Sequence, residues 1–374
     1  MSLQTIFSPS KLFLITCLTL SANHSLAESS PPWQNWQQDE SAEAAITGKW
    51  DWLLTSSNEW IKGKVIAIYG DEVEFDSDEF GIVKVDWDDV AELRTHDYKS
   101  VRTDSGEIID GKIIAKNGTI HFYDDSGKIN SLEKSQLLSM ANSEQSKESQ
   151  WSGDISAGAT FRDGNTKQTD YTFTMDVKRL GSTSRLLGSY VASYSEADSE
   201  ETENSHRVTA SYDWFFSNKL FIRIPEVEYF RDPFQNIAHR LTVNAGLGYQ
   251  LYDESKMNWY VNAGPGYTYT EFDEVEEGEK EDASSPVLVL GSSFEKDLTS
   301  DIEFFLDYQV QVVEEDAGKY IHHAETGFEI DLISDFDLDL TLYYDRIEEP
   351  IPDKDGELPK KDDYRFVVSI SYDF

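Results

Sequence analysis

From Trp151 to the C-terminus, apolar and polar residues alternate in segments of about ten residues. The last segment, YRFVVSISYDF, shows this pattern most clearly. Successive side chains of a β-strand point to opposite faces, and transmembrane β-barrel strands alternate in this way between lipid and lumen. The residues on the apolar face of this segment would be Tyr364, Phe366, Val368, Ile370, Tyr372 and Phe374. The alternation predicts twelve such strands after residue 150.

The alternation of apolar and polar residues is clearer in some segments after residue 150 than in others. Four segments carry it clearly, at residues 240–251, 259–269, 301–312 and 337–344. In the third, fifth and eighth segments it is weaker, and which of their side chains face lipid stays open; these segments are residues 185–194, 220–230 and 286–294. Since a water-soluble β-sandwich also alternates, the pattern alone does not identify a membrane protein.

The links between the segments separate these two alternatives. With the N-terminus inside, the links after odd-numbered segments lie outside: RDGNTK, SEADSEETENS, RDPFQNIAH, EFDEVEEGEKEDASS, EEDAGK and DRIEEPIPDKDGELPKKDD. The links after even-numbered segments are LGSTS, FSNK, YDESKMN, EKDLTS and ISDF. Outer-membrane barrels have short periplasmic turns and longer external loops, and an even, closed set of strands leaves no backbone group unpaired in hydrocarbon. We therefore predict an all-β fold in which residues 151–374 form a 12-stranded antiparallel transmembrane β-barrel.

The N-terminal residues 1–27 have the pattern of a secretory signal. Lys11 precedes an apolar run at 12–20, and Ser25-Leu26-Ala27 resembles a cleavage site. The run is about half the length that a membrane-spanning helix needs, and no later run is long enough. The only cysteine, Cys17, lies in this signal, so the predicted mature chain has no thiol. Residues 28–45 lack periodicity and are expected to form a flexible lead.

The chain is strongly acidic, with 32 basic and 71 acidic side chains and a formal net charge of −39. Such charge repels phosphate backbones and attracts cations, which argues against nucleic acid as a partner. Disordered acidic chains are poor in aromatic residues, whereas 13% of this chain is aromatic. The surplus charge is therefore expected in the loops and tails of a folded protein.

Residues 46–140 contain an internal repeat. The segment Glu59–Ile66 (EWIKGKVI) recurs 48 positions later within GEIIDGKII, and each copy continues through a glycine, Gly70 or Gly118, to a short strand that ends in phenylalanine. An acidic turn with a further glycine, Gly81 or Gly127, follows in each copy. This pattern predicts two small SH3-like β-barrels or one fused β-unit, joined to the barrel by a polar linker at 141–150.

The alternation also predicts which charges face the barrel lumen. The acidic ones are Asp154, Asp170, Asp176, Asp213, Glu226, Glu228, Glu303, Asp307, Glu325, Glu329 and Asp339. The basic ones are Arg162, Lys178, Arg207, Arg240 and Arg365. Carboxylates lining a water-filled path favour cations. In the alternative, these charges pair across a closed interior and hold the strands in register.

Other charged features give no defined catalytic, cofactor or metal site. The acidic outer links 196–203 and 274–282 could collect divalent cations shared with lipopolysaccharide phosphates, or they are solvated loops. His322 and His323 are adjacent on a strand and face opposite ways, as do Ser205 and His206. No serine–histidine set suited to a lipid hydrolase is evident, so the protein is expected not to be an enzyme.

Several stretches resemble a known family. The last strand, with Tyr372 and the terminal Phe374, resembles the strand by which bacterial barrels are delivered to their assembly machinery. The motifs that carry the family resemblance are Trp151, the Asp-Gly-Asn-Thr turn at 163–166, the stretch YFRDPFQNI at 229–237, Arg240 and GLGYQ at 246–250. Together they are similar to the domain of unknown function 481 family, whose members are described as salt-induced outer-membrane proteins of Gram-negative bacteria. The repeat domain also resembles one that precedes this barrel in relatives. The resemblance implies the location and the fold, and no activity.

Three functional hypotheses follow. The first is a non-enzymatic outer-membrane protein, either a narrow cation-preferring channel or a structural barrel that responds to osmotic or ionic conditions, with its N-terminal domain in the periplasm. The second is a membrane-anchored binding module whose periplasmic domain, with Trp50, Trp52 and Trp60, contacts peptidoglycan or another envelope protein. The third is an enzyme that acts on lipid or lipopolysaccharide.

Overall fold

The computed structural model describes residues 49–69, 72–123, 129–146, 150–162, 168–217, 219–254, 256–299, 301–333 and 336–374. The predicted signal, the flexible lead and the turn at 163–166 lie outside these residues, as do Gly70, Gly127 and the side chain of Arg162. Within the described part of the chain, no helix is long and apolar enough to cross a membrane.

The N-terminal domain consists of two copies of a five-stranded unit. The strands of the first copy are β1 (Asp51–Thr55), β2 (Trp60–Tyr69), β3 (Glu72–Ser77), β4 (Gly81–Asp86) and β5 (Val90–Arg94). Those of the second are β6 (Lys99–Thr103), β7 (Ile108–Lys116), β8 (Thr119–Tyr123), β9 (Ile129–Glu133) and β10 (Leu137–Asn142). A single 3-10 turn precedes the last strand of each copy, Trp87–Asp89 in the first and Lys134–Gln136 in the second.

The two copies form one closed ring of six strands. The order around the ring is β1, β2, β10, β6, β7 and β5, and β5 pairs back to β1. The last strand of each copy therefore pairs with the long strand of the other copy, β5 with β7 and β10 with β2. The hairpins β3–β4 and β8–β9 extend from β2 and β7. Of the two predicted arrangements, the structure has the fused unit.

The inside of this ring is apolar because alternate residues of each strand point inward. Val65 and Phe75 of the first copy and Ile113 and Phe122 of the second are all 2% exposed or less. Residues with no exposed surface complete the core: Leu53, Ile68, Val73, Leu93, Val101, Ile120 and Met140. Each large apolar side chain buried in this way contributes roughly 1.5–3 kcal/mol, so the duplicated pattern is sufficient to specify a common core.

A buried ion pair joins the first strands of the two copies. Asp51 opens β1 and Lys99 opens β6, 48 positions later, so they occupy equivalent places in the repeat. Lys99 Nζ lies 3.1 Å from Asp51 Oδ2 and donates hydrogen bonds to the Val65 carbonyl at 2.8 Å and to Asn142 Oδ1 at 2.6 Å. Asp51 accepts from the backbone N–H of Val65 at 2.9 Å and of His96 at 2.6 Å. Identical charges at this position would repel, so the difference between the copies allows them to pack.

We expect Lys99→Met to destabilise the N-terminal domain by about 3–5 kcal/mol, because it leaves the Asp51 carboxylate buried without its counter-ion. Urea-dependent proteolysis of the detergent-refolded chain, followed at cleavage sites in residues 50–142, measures the change. The control is Lys62→Met, which removes a part-exposed pair with Asp78 and should cost about 1 kcal/mol or less. Equal effects of the two substitutions would contradict the argument.

The C-terminal domain is a closed barrel of twelve antiparallel strands. The strands are β11 (Trp151–Arg162), β12 (Gln168–Leu180), β13 (Ser184–Ala197), β14 (Glu200–Phe215), β15 (Leu220–Asp232), β16 (Ile237–Glu254), β17 (Met257–Phe272), β18 (Asp282–Asp297), β19 (Ile302–Val312), β20 (Tyr320–Ile333), β21 (Phe336–Ile347) and β22 (Asp362–Asp373). Each strand pairs with the next along the chain, and β22 pairs with β11. The predicted all-β fold with a 12-stranded antiparallel barrel is confirmed.

The outer face of the barrel is apolar and bordered by aromatic rings. At the end nearer the N-terminal domain, neighbouring rings lie 5.5–6.2 Å apart in a chain formed by Tyr252, Trp259, Phe294, Phe304 and Phe328. At the opposite end, which we call the loop end, Tyr344 and Tyr364 stack at 4.9 Å. Aromatic girdles on both sides of an apolar band are the surface of a barrel that spans a membrane.

One predicted outer loop is folded differently. The segment SEADSEETENS was predicted to be an outer link between strands, but β13 runs to Ala197 and β14 starts at Glu200. The turn is reduced to Asp198 and Ser199, which both have positive φ, 53° and 70°. A hairpin that extends beyond the lipid needs no apolar face, so its polar sequence gave no sign of strand. The longest of the outer links is the segment 348–361 before β22.

The structure also assigns the faces of the three unclear segments. In β15 the pairing register shifts between Arg223 and Glu226, so Phe221 and Arg223 point inward before the shift and Glu226 and Glu228 point inward after it. In β18 the inward side chains include Val287 and Val289, which are as apolar as their lipid-facing neighbours. In β13 the buried Val191 points inward.

Candidate functional site in the barrel interior

Eight of the charges that the sequence predicts for the interior line one cavity of the barrel. The structure places Asp154, Asp176, Glu226, Glu228, Asp307, Glu325, Lys178 and Arg207 around one cavity. Two ion pairs cross the lumen: Arg207 reaches Asp345 on β21, and Arg365 on β22 reaches Glu203 on β14. Arg240 bonds Thr270, and Asp339 accepts from Ser369 and Ser371. Two interior arginines, Arg185 and Arg223, were missed because they lie on segments with an unclear pattern.

Carboxylates dominate one wall of the interior, formed by β18–β22 with β11 and β12. Many of them are direct cross-strand neighbours: Asp154 pairs in register with Asp176, Asp307 with Glu325, and Glu329 with both Glu303 and Asp339. Like charges directly opposite each other on a sheet are destabilising. This wall therefore needs water, hydroxyl groups or cations to offset the repulsion.

Arginines are concentrated on the opposite wall, formed by β13–β16, where each has an acidic partner or a hydroxyl. Asp213 has no exposed side-chain surface and accepts from Arg185 at 2.7 Å and from Arg223 at 2.7 and 2.9 Å. Arg223 also contacts Glu226 at 3.3 Å. Paired, buried charges of this kind fix neighbouring strands to one another. The interior is thus divided into a paired arginine wall and an acid-rich wall.

The half of the barrel nearer the N-terminal domain encloses a chamber of about 550 Å³. Its lining includes Asp154, Asp176, Asp307 and Glu325 from the acidic wall and Arg223 from the other wall. Such a volume holds many water molecules, at about 30 Å³ each in the liquid. Small hydrated cations therefore fit the chamber in both size and charge.

The loop-end half of the barrel is filled by side chains. Arg207 contacts Glu228 at 3.0 Å and Asp345 at 2.6 Å, and His323 Nδ1 lies 2.9 Å from the same Asp345 carboxylate. Tyr343 packs in a buried cluster next to this network. Buried apolar residues fill the remaining space, namely Val191, Phe230, Ile237, Val287, Val289, Val313, Ala317, Ile321, Ile347 and Val367. Among the described residues, the larger open space of the interior therefore lies in the other half.

A group of three carboxylates lies at the chamber end of β20 and β21. Glu329, Asp331 and Asp337 each bring one oxygen within 4.8 Å of the others. Carboxylate oxygens at this spacing are the ligand type that Ca²⁺ and Mg²⁺ prefer. They are the described residues whose arrangement comes nearest to a cation site.

The histidines and serines considered for catalysis lie on different faces. His322 points outward and its Nδ1 is 2.7 Å from the Tyr308 hydroxyl, whereas His323 points inward to Asp345. Ser205 points inward and donates to Glu203 at 3.3 Å. His206 points outward, with Nδ1 3.0 Å from the Tyr190 hydroxyl. A nucleophile needs a base within hydrogen-bond reach, and these pairs do not provide one.

Three solved structures are similar to part of this chain at low sequence identity. The NanC porin is 11% identical, with a TM-score of 0.36 over 59% of this chain and 98% of its own. The translocator domain of the autotransporter NalP from Neisseria meningitidis is 12% identical, with a TM-score of 0.33 over 59% of this chain and 87% of its own. A KdgM porin, solved in complex with disordered oligogalacturonate, is 11% identical, with a TM-score of 0.31 over 60% of this chain and 99% of its own. Likenesses this low carry no inference about function.

None of the curated proteins matches this chain in sequence. The family described as Protein of unknown function, DUF481, matches residues 155–374, which are the barrel apart from its first four residues. The match covers more than half of the chain, in agreement with the motifs noted in the sequence. The protein therefore belongs to the DUF481 family.

Proposed function

We propose that the protein is a non-enzymatic outer-membrane barrel that admits small cations to an acidic interior. The observation that carries the proposal is the concentration of cross-strand carboxylates on one wall of a chamber of about 550 Å³, with the arginines paired on the other wall. Rings and rows of carboxylates favour cations over anions. The packed loop-end half, with Tyr343 and the Arg207–Asp345 pair, would be the closed part of the path.

The orientation in the membrane is part of the proposal. The N-terminal domain contacts the turn after β12 and the last residue of β14, Phe215, and the longest link, 348–361, lies at the opposite end. In outer-membrane barrels short turns are periplasmic and longer loops are external. The N-terminal domain would then lie in the periplasm, and the acidic outer links would face lipopolysaccharide.

We expect the double substitution Tyr343→Ala with Val367→Ala to open a cation-preferring path, because it removes two buried side chains from the packed half. Planar-bilayer recording of the refolded protein under a salt gradient measures conductance and ion preference. Adding Asp307→Asn should lower the cation-to-anion permeability ratio up to about fivefold, since one unit charge a few ångströms away in water contributes about 1 kcal/mol. The matched control is Glu200→Gln, which removes a charge at the turn outside the barrel.

A folded double variant that stays silent would overturn the channel proposal and favour a second candidate, a closed barrel that anchors a binding domain. That candidate is supported by an aromatic and basic cluster on the N-terminal domain. The rings of Trp52 and Trp60 lie edge to face at 6.3 Å, and Lys62 Nζ is 5.1 Å from the centre of the Trp50 ring. Part-exposed tryptophans beside lysines suit a glycan that bears carboxylates, such as peptidoglycan.

For this second candidate, Trp52→Ala should reduce co-sedimentation of the detergent-solubilised protein with insoluble peptidoglycan at least about fivefold, the effect of losing roughly 1 kcal/mol of stacking. Trp214→Ala, which removes an exposed tryptophan from the barrel exterior, serves as the control and should have no effect. Equal binding by both variants would contradict the proposal that this tryptophan cluster binds peptidoglycan.

The terminal strand is proposed to direct assembly by the barrel assembly machinery. Tyr372 and Phe374 are exposed on the lipid face, and the backbones of Phe374 and Gly153 exchange two hydrogen bonds at the seam. Phe374→Ala should lower the fraction of heat-modifiable, folded barrel in cells and leave folding of the purified chain into detergent unchanged. Phe366→Ala on the same face is the control. Loss of detergent folding in both variants would instead indicate a packing role.

A further inference from the structure

The hairpin β3–β4 of the N-terminal domain has one face in the domain core and one face toward the barrel. Val73 and Phe75 of β3 face the core and have no exposed surface. On the other face, Glu74 of β3 pairs in register with Lys84 of β4. Ile82 lies on the same face, two residues before Lys84, and lines the barrel chamber. The hairpin therefore lies at the mouth of the chamber.

Charged side chains of the hairpin reach two sides of the barrel. Glu74 accepts from Lys178 of β12 at 3.1 Å, and Lys84 Nζ lies 3.8 Å from Glu303 of β19. In a ring of twelve strands, β12 and β19 are on opposite sides. Lys178, Glu74, Lys84 and Glu303 thus form a row of alternating charges across the mouth.

The two sides hold the domain unequally. On the β12–β15 side, the Tyr69 hydroxyl donates to the Gly181 carbonyl, the Ser139 hydroxyl donates to the Ser182 carbonyl, and the rings of Tyr69 and Phe215 lie 4.8 Å apart. The Arg102 guanidinium also donates to the Phe215 carbonyl. On the opposite side, Lys84 Nζ of the hairpin and the Glu303 carboxylate form an ion pair at 3.8 Å, which is longer than a hydrogen bond. The first side has the hydrogen bonds and ring contact of a fixed attachment, whereas a part-exposed ion pair such as Lys84–Glu303 contributes little and is readily released.

The duplication provides an internal comparison. In β8–β9, the hairpin of the second copy, Phe122 and Ile120 take the core positions of Phe75 and Val73, and His121 pairs with Ser131 where Glu74 pairs with Lys84. The core face is therefore shared by both copies. The pair of opposite charges is present only in the copy that lies over the chamber, so it is not required by the domain fold.

The electrostatics of Lys84 agree with a place inside the acidic mouth. Burial lowers the pKa of Lys84, but the nearby carboxylates, chiefly Glu295 and Glu303, outweigh burial and raise the pKa above its ordinary value. For Glu74, burial raises the pKa, and the charges of Lys178 and Lys84 outweigh it, so the pKa lies below its ordinary value. Both groups are therefore charged at neutral pH, and Lys84 acts as a tethered counter-ion.

We infer that the β3–β4 hairpin is a lid over the acidic chamber, carried by a domain that is attached at the β12–β13 and β14–β15 turns, and that the ion pair of Lys84 with Glu303 holds the lid shut. Lys84 then occupies the position at the acidic wall that a cation from solution would take. Release of this contact opens the mouth and leaves the domain attached. The inference does not depend on conduction through the loop-end half.

The test uses the full mature chain, which has no cysteine of its own, refolded in detergent. Asp307→Cys places a single thiol in the chamber, and its rate of reaction with N-ethylmaleimide reports access through the mouth. Lys84→Glu should raise this rate about two- to fivefold, the factor expected for the loss of a part-exposed ion pair. Combining Lys84→Glu with Glu303→Lys restores the opposite charges and should return the rate to that of the parent.

Ser131→Glu is the matched control, because Ser131 holds the place of Lys84 in the other copy, and it should leave the rate unchanged. If Asp307→Cys fails to fold, as judged by heat-modifiable migration, Glu325→Cys replaces it. Equal labelling rates in the parent, the Lys84→Glu variant and the charge-swapped variant would overturn the lid. Thiol labelling measures access to the chamber and does not require ion conduction. The lid can therefore be confirmed in a barrel that does not conduct, and it can be disproved in a barrel that does.

Discussion

Every backbone group of a strand that faces hydrocarbon must be hydrogen-bonded within the protein, and here that requirement is met only because β22 returns to β11. The seam is short. Asp154–Ala157 pair in register with Ile370–Asp373, and Gly153 and Phe374 exchange two backbone hydrogen bonds at 2.9 and 3.1 Å. By contrast, β11 pairs with β12 along its whole length. The terminal residue is thus part of the closure as well as part of the aromatic surface.

Closure of the ring creates an interior that the sequence must fill, and it is filled in two different ways. In the loop-end half, apolar side chains and the Arg207–Glu228–Asp345 network leave little space. In the other half, neighbouring carboxylates line a chamber of about 550 Å³. A row such as Glu303, Glu329 and Asp339 on successive strands is costly in low dielectric, so it persists only where water or cations have access.

The alternation of apolar and polar residues was sufficient to predict the barrel and its strand number, because the period of two depends only on which face meets lipid. It became ambiguous for specific physical reasons. In β15 a register shift between Arg223 and Glu226 changes the inward face halfway along the strand. In β18, Val287 and Val289 pack inside while Leu288 and Leu290 face lipid, so both faces are apolar. The exchange of β5 and β10 between the two repeats is a non-local pairing that no local pattern encodes.

The contact between the two domains could not be predicted from the sequence, although the charged residues that form it are easily seen there. Glu72, Glu74 and Asp76 look like one more acidic strand in an acidic chain, and Lys84 like an ordinary surface lysine. The role of these hairpin charges depends on the barrel residues that they contact. The duplicated unit supplied a hairpin whose core face was already satisfied, so its outer face was free to change without cost to the fold. Opposite charges on that face match the lysine of β12 on one side and the carboxylates of β19 on the other. The barrel and the N-terminal domain are therefore complementary. The barrel has a surplus of interior carboxylates, and the domain brings a lysine to them. The lysine reduces the repulsion among the carboxylates, and the carboxylates offset the desolvation of the lysine.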